Sequence, residues 1–235
     1  MKMGETKNIM EKTELVKRHL PVLYMDRREP FPLLYIGYTV FHQTMPSASS
    51  GRRIDLAQRK AAICIEYAYY YDYDIQHLYD LEHLWVYLDD NENVCGCECS
   101  FHGMYLNAML PGVDILRGEN RVHMYVQPGK HAFLPRPELF HLFIDFWEAC
   151  AEKAGNGGIL TPDIVPGLPL HSEEDDRKMG CFIKERFSFV PSEEYEVCET
   201  TARIMPWEEL RSIIPERICR EMENRDTKAE GTAWQ

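Results

Sequence analysis

Residues 69–89 read YYYDYDIQHLYDLEHLWVYLD, and the reading of this stretch decides the fold. It sets Asp72, Asp74, His77, Asp80, Glu82 and His83 between two apolar runs, residues 63–71 and 84–88, rich in β-branched and aromatic side chains. Such side chains fit a pleated surface, so both runs are predicted strands, and the acids and imidazoles fall where one strand gives way to the next. On extended backbone Asp80 and Glu82 leave the same face, with Cα atoms about 6–7 Å apart. Two carboxylates that close repel by about 3 kcal/mol at 5 Å and an effective dielectric near 20. A bound cation reverses the sign. With Asp74 and His77 arriving from the loop, the stretch offers an O/N donor set suited to a divalent metal. A solvated acidic loop that holds nothing is the alternative reading.

Downstream, DDNEN is followed by residues 94–101, VCGCECSF, a pattern that predicts a hairpin. A turn centred near Asn91 makes paired residue numbers sum to about 182, so Glu82 faces Ser100 and Asp80 faces His102. His102 then joins the carboxylates from the neighbouring strand, whereas a slip of one residue sends it to the other face. The same register groups Cys95, Cys97 and Cys99 with Tyr87, Trp85 and His83 on a face that looks like core. Alternate cysteines on a strand are spaced too widely to wrap one tetrahedral zinc, so they are read as small buried hydrophobes, and His83 as a packed histidine.

The chain has 235 residues, 45% of them apolar, with a net charge of −12 and no uninterrupted apolar segment of membrane-spanning length. That composition predicts one globular domain over residues 1–225: a site-bearing core at 23–134, a helix and late strand at 137–190, and a second helix at 207–223. A flexible polar tail covers 226–235. The acidity disfavours a nucleic-acid partner, which needs a basic surface, and suits a cation. Eight cysteines with no apolar signal-like run in residues 1–14 argue for thiols in a reducing, cytoplasmic setting.

Residues 11–19 have the pattern of a short amphipathic helix, 20–32 (LPVLYMDRREPFP) of an entry strand and turn, and 33–41 of a strand. The small-residue segment 44–53 (TMPSASSGRR) is a flexible connection or an anion-holding loop. Another strand covers 122–126 and turns at Pro128-Gly129 toward Lys130 and His131. Leu139, Phe140, Phe143, Phe146, Trp147 and Cys150 recur at helical spacing up to Gly155, with His141 read as structural or exposed. A long Gly- and Pro-rich loop, 155–176, precedes a strand at 181–190. No Walker loop, GxSxG elbow or HExxH occurs.

Taken together, YAYYYDYDIQHLYDLEHLWVYLDD resembles the signature of the necrosis- and ethylene-inducing (Nep-like) proteins, in which a Tyr- and Trp-rich strand ends in Asp and leads into a GHRHDWE heptapeptide. Asp74 matches the strand-end Asp, His77 the first His of the heptapeptide, Asp80 its Asp and Glu82 its Glu. The resemblance implies that these four hold a divalent cation, partly through water. Ser100-Phe101-His102-Gly103 and Gly129-Lys130-His131-Ala132 resemble two later segments of the same family. The layout is also similar to vacuolar protein sorting 62-like proteins, whose acidic entry motif LYMDRREPFP resembles. Gln76, Leu78, Tyr79 and Leu81 depart from the heptapeptide, which separates this chain from the sphingolipid-directed cytolysins while leaving the cation ligands intact.

The fold so implied is α+β and mostly β, an antiparallel β-sandwich with the site at one end and flanking helices. Three functions are open. In the first, the cation (Mg²⁺, Ca²⁺ or Mn²⁺, with Zn²⁺ or Fe²⁺ if more histidines converge) grips a hydroxyl- or phosphate-bearing small molecule, glycan or lipid head group. In the second, it activates water in a hydrolase with His102 or His131 as acid or base. In the third, it only pins strand ends together.

Overall fold

A computed structural model describes the backbone of residues 3–160, 165, 167–199 and 201–230. Its strands are β1 (Val22–Asp26), β2 (Tyr35–Phe41), β3 (Met45–Pro46), β4 (Arg53–Ile54), β5 (Ile63–Tyr73), β6 (His77–Leu88) and β7 (Val94–Phe101). They continue with β8 (Met104–Asn107), β9 (His123–Val126), β10 (Phe133–Leu134), β11 (Gly158–Ile159), β12 (Tyr195–Val197) and β13 (Arg203–Pro206). The helices are α1 (Met3–Arg18), α2 (Leu56–Arg59), α3 (Phe146–Cys150), α4 (Glu173–Phe187) and α5 (Trp207–Glu230). This is the expected α+β chain with a layered β-core.

One sheet runs β13-β2-β5-β6-β7-β8, with β11 alongside β6, and a smaller one runs β10-β9-β1-β12. The aromatic run of β5 is buried on both faces: Tyr67, Tyr69, Tyr70 and Tyr71 are all inaccessible to solvent. Tyr69 and Tyr71 point toward the small sheet, where Tyr69 meets Phe133 edge-on at 5.0 Å. Leu84, Val86, Met124 and Val126 complete that apolar layer. The opposite face, with Cys64, Trp85 and Tyr87, is covered by Phe41, Ile54 and Leu56. A strand that must be apolar on both sides reads as a continuous run instead of an alternation.

The β6–β7 hairpin forms with its turn at Asp89–Asn93, where the Asp89 carboxylate accepts from the Asn91 and Asn93 amides. Its register differs by one from the turn-centred expectation. Leu88 pairs with Val94, but the register then shifts between Tyr87 and Leu88, so that Tyr87 pairs with Gly96, Trp85 with Glu98 and Leu84 with Cys99. Cys95 is the extra residue. As a result Cys97 and Cys99 lie across from Val86 and Leu84, and Trp85 faces Glu98. A single unopposed residue exchanges the faces of everything beyond it.

The largest correction concerns residues 181–190. The apolar alternation there suggests a strand, but residues 181–187 are the second half of α4, a helix that begins in SEEDD. The Ser172 side chain accepts from the Asp175 amide (3.2 Å) and the Asp175 carboxylate accepts from the Ser172 amide (3.0 Å), a capping box followed by an acidic first turn. Ser172→Ala is expected to cost about 1 kcal/mol in urea denaturation, the usual loss of a helix cap.

The helical pattern of 137–155 is realised as a 3-10 turn at Pro137–Leu142 and the short α3, not one helix. The helix expected at 11–19 begins earlier, as α1. The helix expected at 207–223 continues as α5 through Glu230, into the stretch read as a tail, whose residues 231–235 lie outside the described residues. No described helix is long and apolar enough to cross a membrane.

The segment 44–53, a candidate anion holder, closes with Ile54 as the β3–β4 ribbon. The anions it holds are the chain's own. Ser47 and Ser50 donate to Glu66 (2.7 and 3.2 Å) and Arg52 donates to Glu98 (2.8 Å).

Candidate functional site

Three turns meet at the end of the main sheet. The first joins β5 to β6 through Asp74, Ile75 and Gln76, closed by Asp74 N donating to His77 O (2.9 Å) and by the Gln76 amide donating to Asp74 Oδ1 (2.6 Å). Asp74 therefore sits in the turn, His77 opens β6, and Asp80 and Glu82 lie within that strand. Tyr79, with φ +76°, sits just before Asp80, and its carbonyl is 2.8 Å from His77 Nδ1. A bulky residue in that region costs on the order of 1–3 kcal/mol and marks a locally over-determined backbone.

The second turn, Gln127–Ala132 between β9 and β10, carries Lys130 and His131. His131 has φ +55° and Gly129 φ +67°, and a Cβ at Gly129 would lie 2.9 Å from Ile75 Cβ, so only glycine lets the two turns touch. The Gly129 amide donates to Glu29 Oε2 (2.7 Å), which brings in the segment after β1. The third turn joins β7 to β8 with His102 at φ +48° and Gly103 at φ +78°, the two-residue hairpin geometry that needs positive φ at both positions.

These turns assemble a buried network of charge. Lys130 Nζ is 2.5 Å from Asp74 Oδ2, with His77 Nε2 at 3.8 Å from Asp74 Oδ1. His131 Nδ1 donates to Asp80 Oδ2 (2.8 Å), and its Nε2 lies 3.6 Å from Glu29 Oε1. The His131 ring stacks on Tyr71 at 3.7 Å and 4°, with Phe31 edge-on at 5.7 Å. Glu82 is hydrogen-bonded to the Ser100 hydroxyl, which also accepts from the His83 amide (2.6 Å). His102 Nε2 donates to Gln127 Oε1 (2.7 Å).

The electrostatics follow from burial and from neighbours. Burial, and then the Asp80 carboxylate, push Glu82 up to about 8, against the opposing pull of Ser100 and His131. Burial lowers His131, but Asp80 and Glu29 outweigh it and raise the imidazole to about 10, so it stays protonated at neutral pH. For Asp74, burial is overcome by His77, Lys130 and the Gln76 amide, which hold the carboxyl below its ordinary value. His102 is lowered by burial and by Lys130 and is neutral.

Asp74, His77, Asp80 and Glu82 thus come to one end of the sheet, in electrostatic reach of one another. They do not form a single ligand shell as they stand. Lys130 closes Asp74, His131 closes one oxygen of Asp80, and among the described residues no three His, Cys, Asp or Glu side chains converge around one point. His102 reaches the site through its turn and Gln127, not from a strand opposite Asp80. The expected meeting of Glu82 and Ser100 is present, whereas sequence reasoning left out Glu29, Gln127 and Lys130 as site residues. The signal for Glu29 was its place before Pro30 in LYMDRREPFP, and for Lys130 its adjacency to His131 after a turn glycine.

No family model and no curated protein matches this chain. Two solved chains are similar to it. One is Necrosis and Ethylene inducing Protein 2 from the causal agent of cocoa's Witches Broom disease, at 20% identity and TM-score 0.34, over 51% of this chain and 66% of that one. The other is NLPPya in complex with glucosamine, at 16% identity and TM-score 0.35, over 51% of this chain and 64% of that one. The chain spans just under two thirds of either neighbour's length.

Proposed function

We propose that this chain is a cation-dependent binding protein, in which the acids at the end of the sheet take up one divalent cation and, with it, a hydroxyl- or phosphate-bearing ligand such as a glycan or lipid head group. The observation that carries the reading is a count of buried charge. Four carboxylates, Glu29, Asp74, Asp80 and Glu82, face two cationic groups, Lys130 and His131; Glu82 holds a proton at neutral pH, and its release brings the excess to two negative charges, the charge that one divalent ion balances. Oxygen donors suit Mg²⁺, Ca²⁺ or Mn²⁺. Asp80 and Glu82 would hold the ion, with Asp74 and His77 beside them. The ion would supply a Lewis-acidic centre for ligand oxygens. The order of the motif residues along the chain supports the same assignment, and eight free cysteines support a reducing, cytoplasmic setting.

Hydrolysis is less well supported. His131, held protonated between two acids, is unable to accept a proton at neutral pH, and neutral His102 is engaged by Gln127.

Titration calorimetry with Mn²⁺, Mg²⁺ and Ca²⁺ tests the proposal. The expected result is one site in the wild type with release of close to one proton per ion at pH 7, because Glu82 keeps a proton until the ion arrives. Asp80→Asn should abolish uptake while circular dichroism stays native. Absence of heat and of proton release for all three ions at millimolar concentration would remove the cation from the reading.

A further inference from the structure

The face of the main sheet opposite the acid site carries a second buried polar layer. Glu66, Trp85 and Glu98 form one row across β5, β6 and β7, so both carboxylates flank a single indole. Glu66 and Glu98 are 1% and 5% exposed, and Trp85 is fully buried. His83 lies flat alongside Trp85 (5.4 Å, 7°), and Tyr105 stands perpendicular to it (5.4 Å, 83°). The two rings make a corner, half open to solvent at Tyr105.

The tip of the β3–β4 ribbon, residues 47–52, fills that corner. The Arg52 guanidinium carbon is 4.4 Å from the Trp85 ring centre and 4.5 Å from that of Tyr105, and its Nη2 donates to Glu98. Glu98 also binds Arg59 and accepts from the Tyr87 hydroxyl (2.6 Å). A planar cation against two aromatic faces and a carboxylate is a recognition arrangement for a guanidinium group. The tip is seated by polar contacts: Ser47 and Ser50 on Glu66, Ser49 on His83 (3.1 Å), and the Tyr105 hydroxyl on Ser50 O (3.2 Å). Its apolar anchors, Ile54 and Leu56, lie beyond it.

Two buried atoms at this seam have no hydrogen-bond partner, Glu66 Oε2 and Arg52 Nη1. A carboxylate oxygen left over on a buried slot residue, and a guanidinium nitrogen left over on the tip, mean that the tip satisfies the slot only in part. When the tip lifts, water replaces the slot as partner of its serine hydroxyls, so each of those hydrogen bonds opposes opening by only about 0.5–1.5 kcal/mol.

We infer that the Trp85–Tyr105 corner, with Glu98 and Glu66, is a binding site for an alkylguanidinium group, occupied in cis by Arg52 and vacated when the 47–52 tip lifts. The ligand is an arginine side chain of a peptide or a free guanidinium compound. An intramolecular occupant competes at high effective concentration, so the affinity seen by an external ligand is reduced by the fraction of time the slot is open. This site does not depend on the acid cluster across the sheet.

The probes are agmatine, an acetyl-Gly-Arg-Gly-amide peptide, and cadaverine as the ammonium control. Saturating agmatine should accelerate amide hydrogen exchange of Ser49 and Ser50 in the wild type, since their amides rest on Ser47 Oγ. Arg52→Ala should bind agmatine at least about tenfold more tightly than the wild type by thermal shift, with cadaverine inert and Glu98→Gln abolishing the gain. Tighter binding of the peptide than of agmatine assigns the site to a protein partner, and the reverse to a free solute. If neither guanidinium probe changes exchange in residues 47–52 beyond the cadaverine control, the site is refuted, whether or not Arg52→Ala folds. Equal responses to cadaverine and agmatine refute it too.

Discussion

Asp74→Ala is expected to lower stability by about 3–5 kcal/mol, the cost of breaking a buried pair by removing one partner. Asp74 is 1% exposed and Lys130 9%, so the ammonium left behind loses its ion-pair partner and has little water in its place. The loss is compounded at the turn, where the same carboxylate accepts the Gln76 amide. Set against a typical domain stability of about 5–15 kcal/mol, it would leave the protein near its unfolding midpoint under mild conditions. Urea denaturation at pH 7 measures it. The decisive comparison is the double variant Asp74→Ala/Lys130→Met, which removes both charges and should recover most of the loss. If the double variant is as unstable as the sum of the single ones, the pair is not the unit that matters.

The second large effect is a fall in stability as pH rises. Glu82 ordinarily titrates at 4.5 and is held at about 8 in the fold. Its contribution is therefore fully present below 4.5 and is lost as pH climbs to about 8. His131 moves from 6.5 to about 10, so its contribution is full below 6.5 and disappears through about 10. Both shifts act in the same direction, and melting temperature should decline steadily from pH 5 to pH 10. Asp74, whose carboxyl is lowered, acts only below about pH 4, in the opposite sense. Glu82→Gln should flatten the profile between pH 5 and 6.5 and reduce the slope from there to pH 8, leaving the upper part to His131. Added Mn²⁺ should reverse the lower part, because the ion takes the place of the proton. A wild-type melting temperature that climbs between pH 5 and 8 without metal would contradict the burial of excess negative charge at this end of the sheet.

Much of the architecture was legible because it is written in local pattern. The aromatic run of β5, the apolar run of β6 and the Asp- and Asn-rich turn after it each fix one strand or one connection. The acids of the site were legible for the same reason, being close in sequence. What was hidden was set by longer range. One extra residue, Cys95, shifted the pairing from Gly96 to Cys99 by one, and no propensity marks where a bulge falls. The counter-charges of the acids, Lys130 and His131, come from a turn more than 50 residues downstream, and the fourth carboxylate, Glu29, from a segment about as far upstream. The helix over 173–187 was read in part as a strand because an apolar alternation outweighed its capping box, although the cap is the more specific of the two signals.

The placement of β12 and β13 sets an order of events in the life of the chain. These two short strands lie close together in sequence, yet β12 closes the outer edge of β1 in one sheet and β13 the outer edge of β2 in the other. Each partner is more than 160 residues upstream. During vectorial synthesis both sheets therefore stand with bare edges until the segment past residue 206 has left the ribosome, and unpaired edges invite pairing with other chains. Closure of such distant contacts is slow. A nascent chain of this protein would stay a client for chaperones until β12 and β13 emerge, and their pairing would release it.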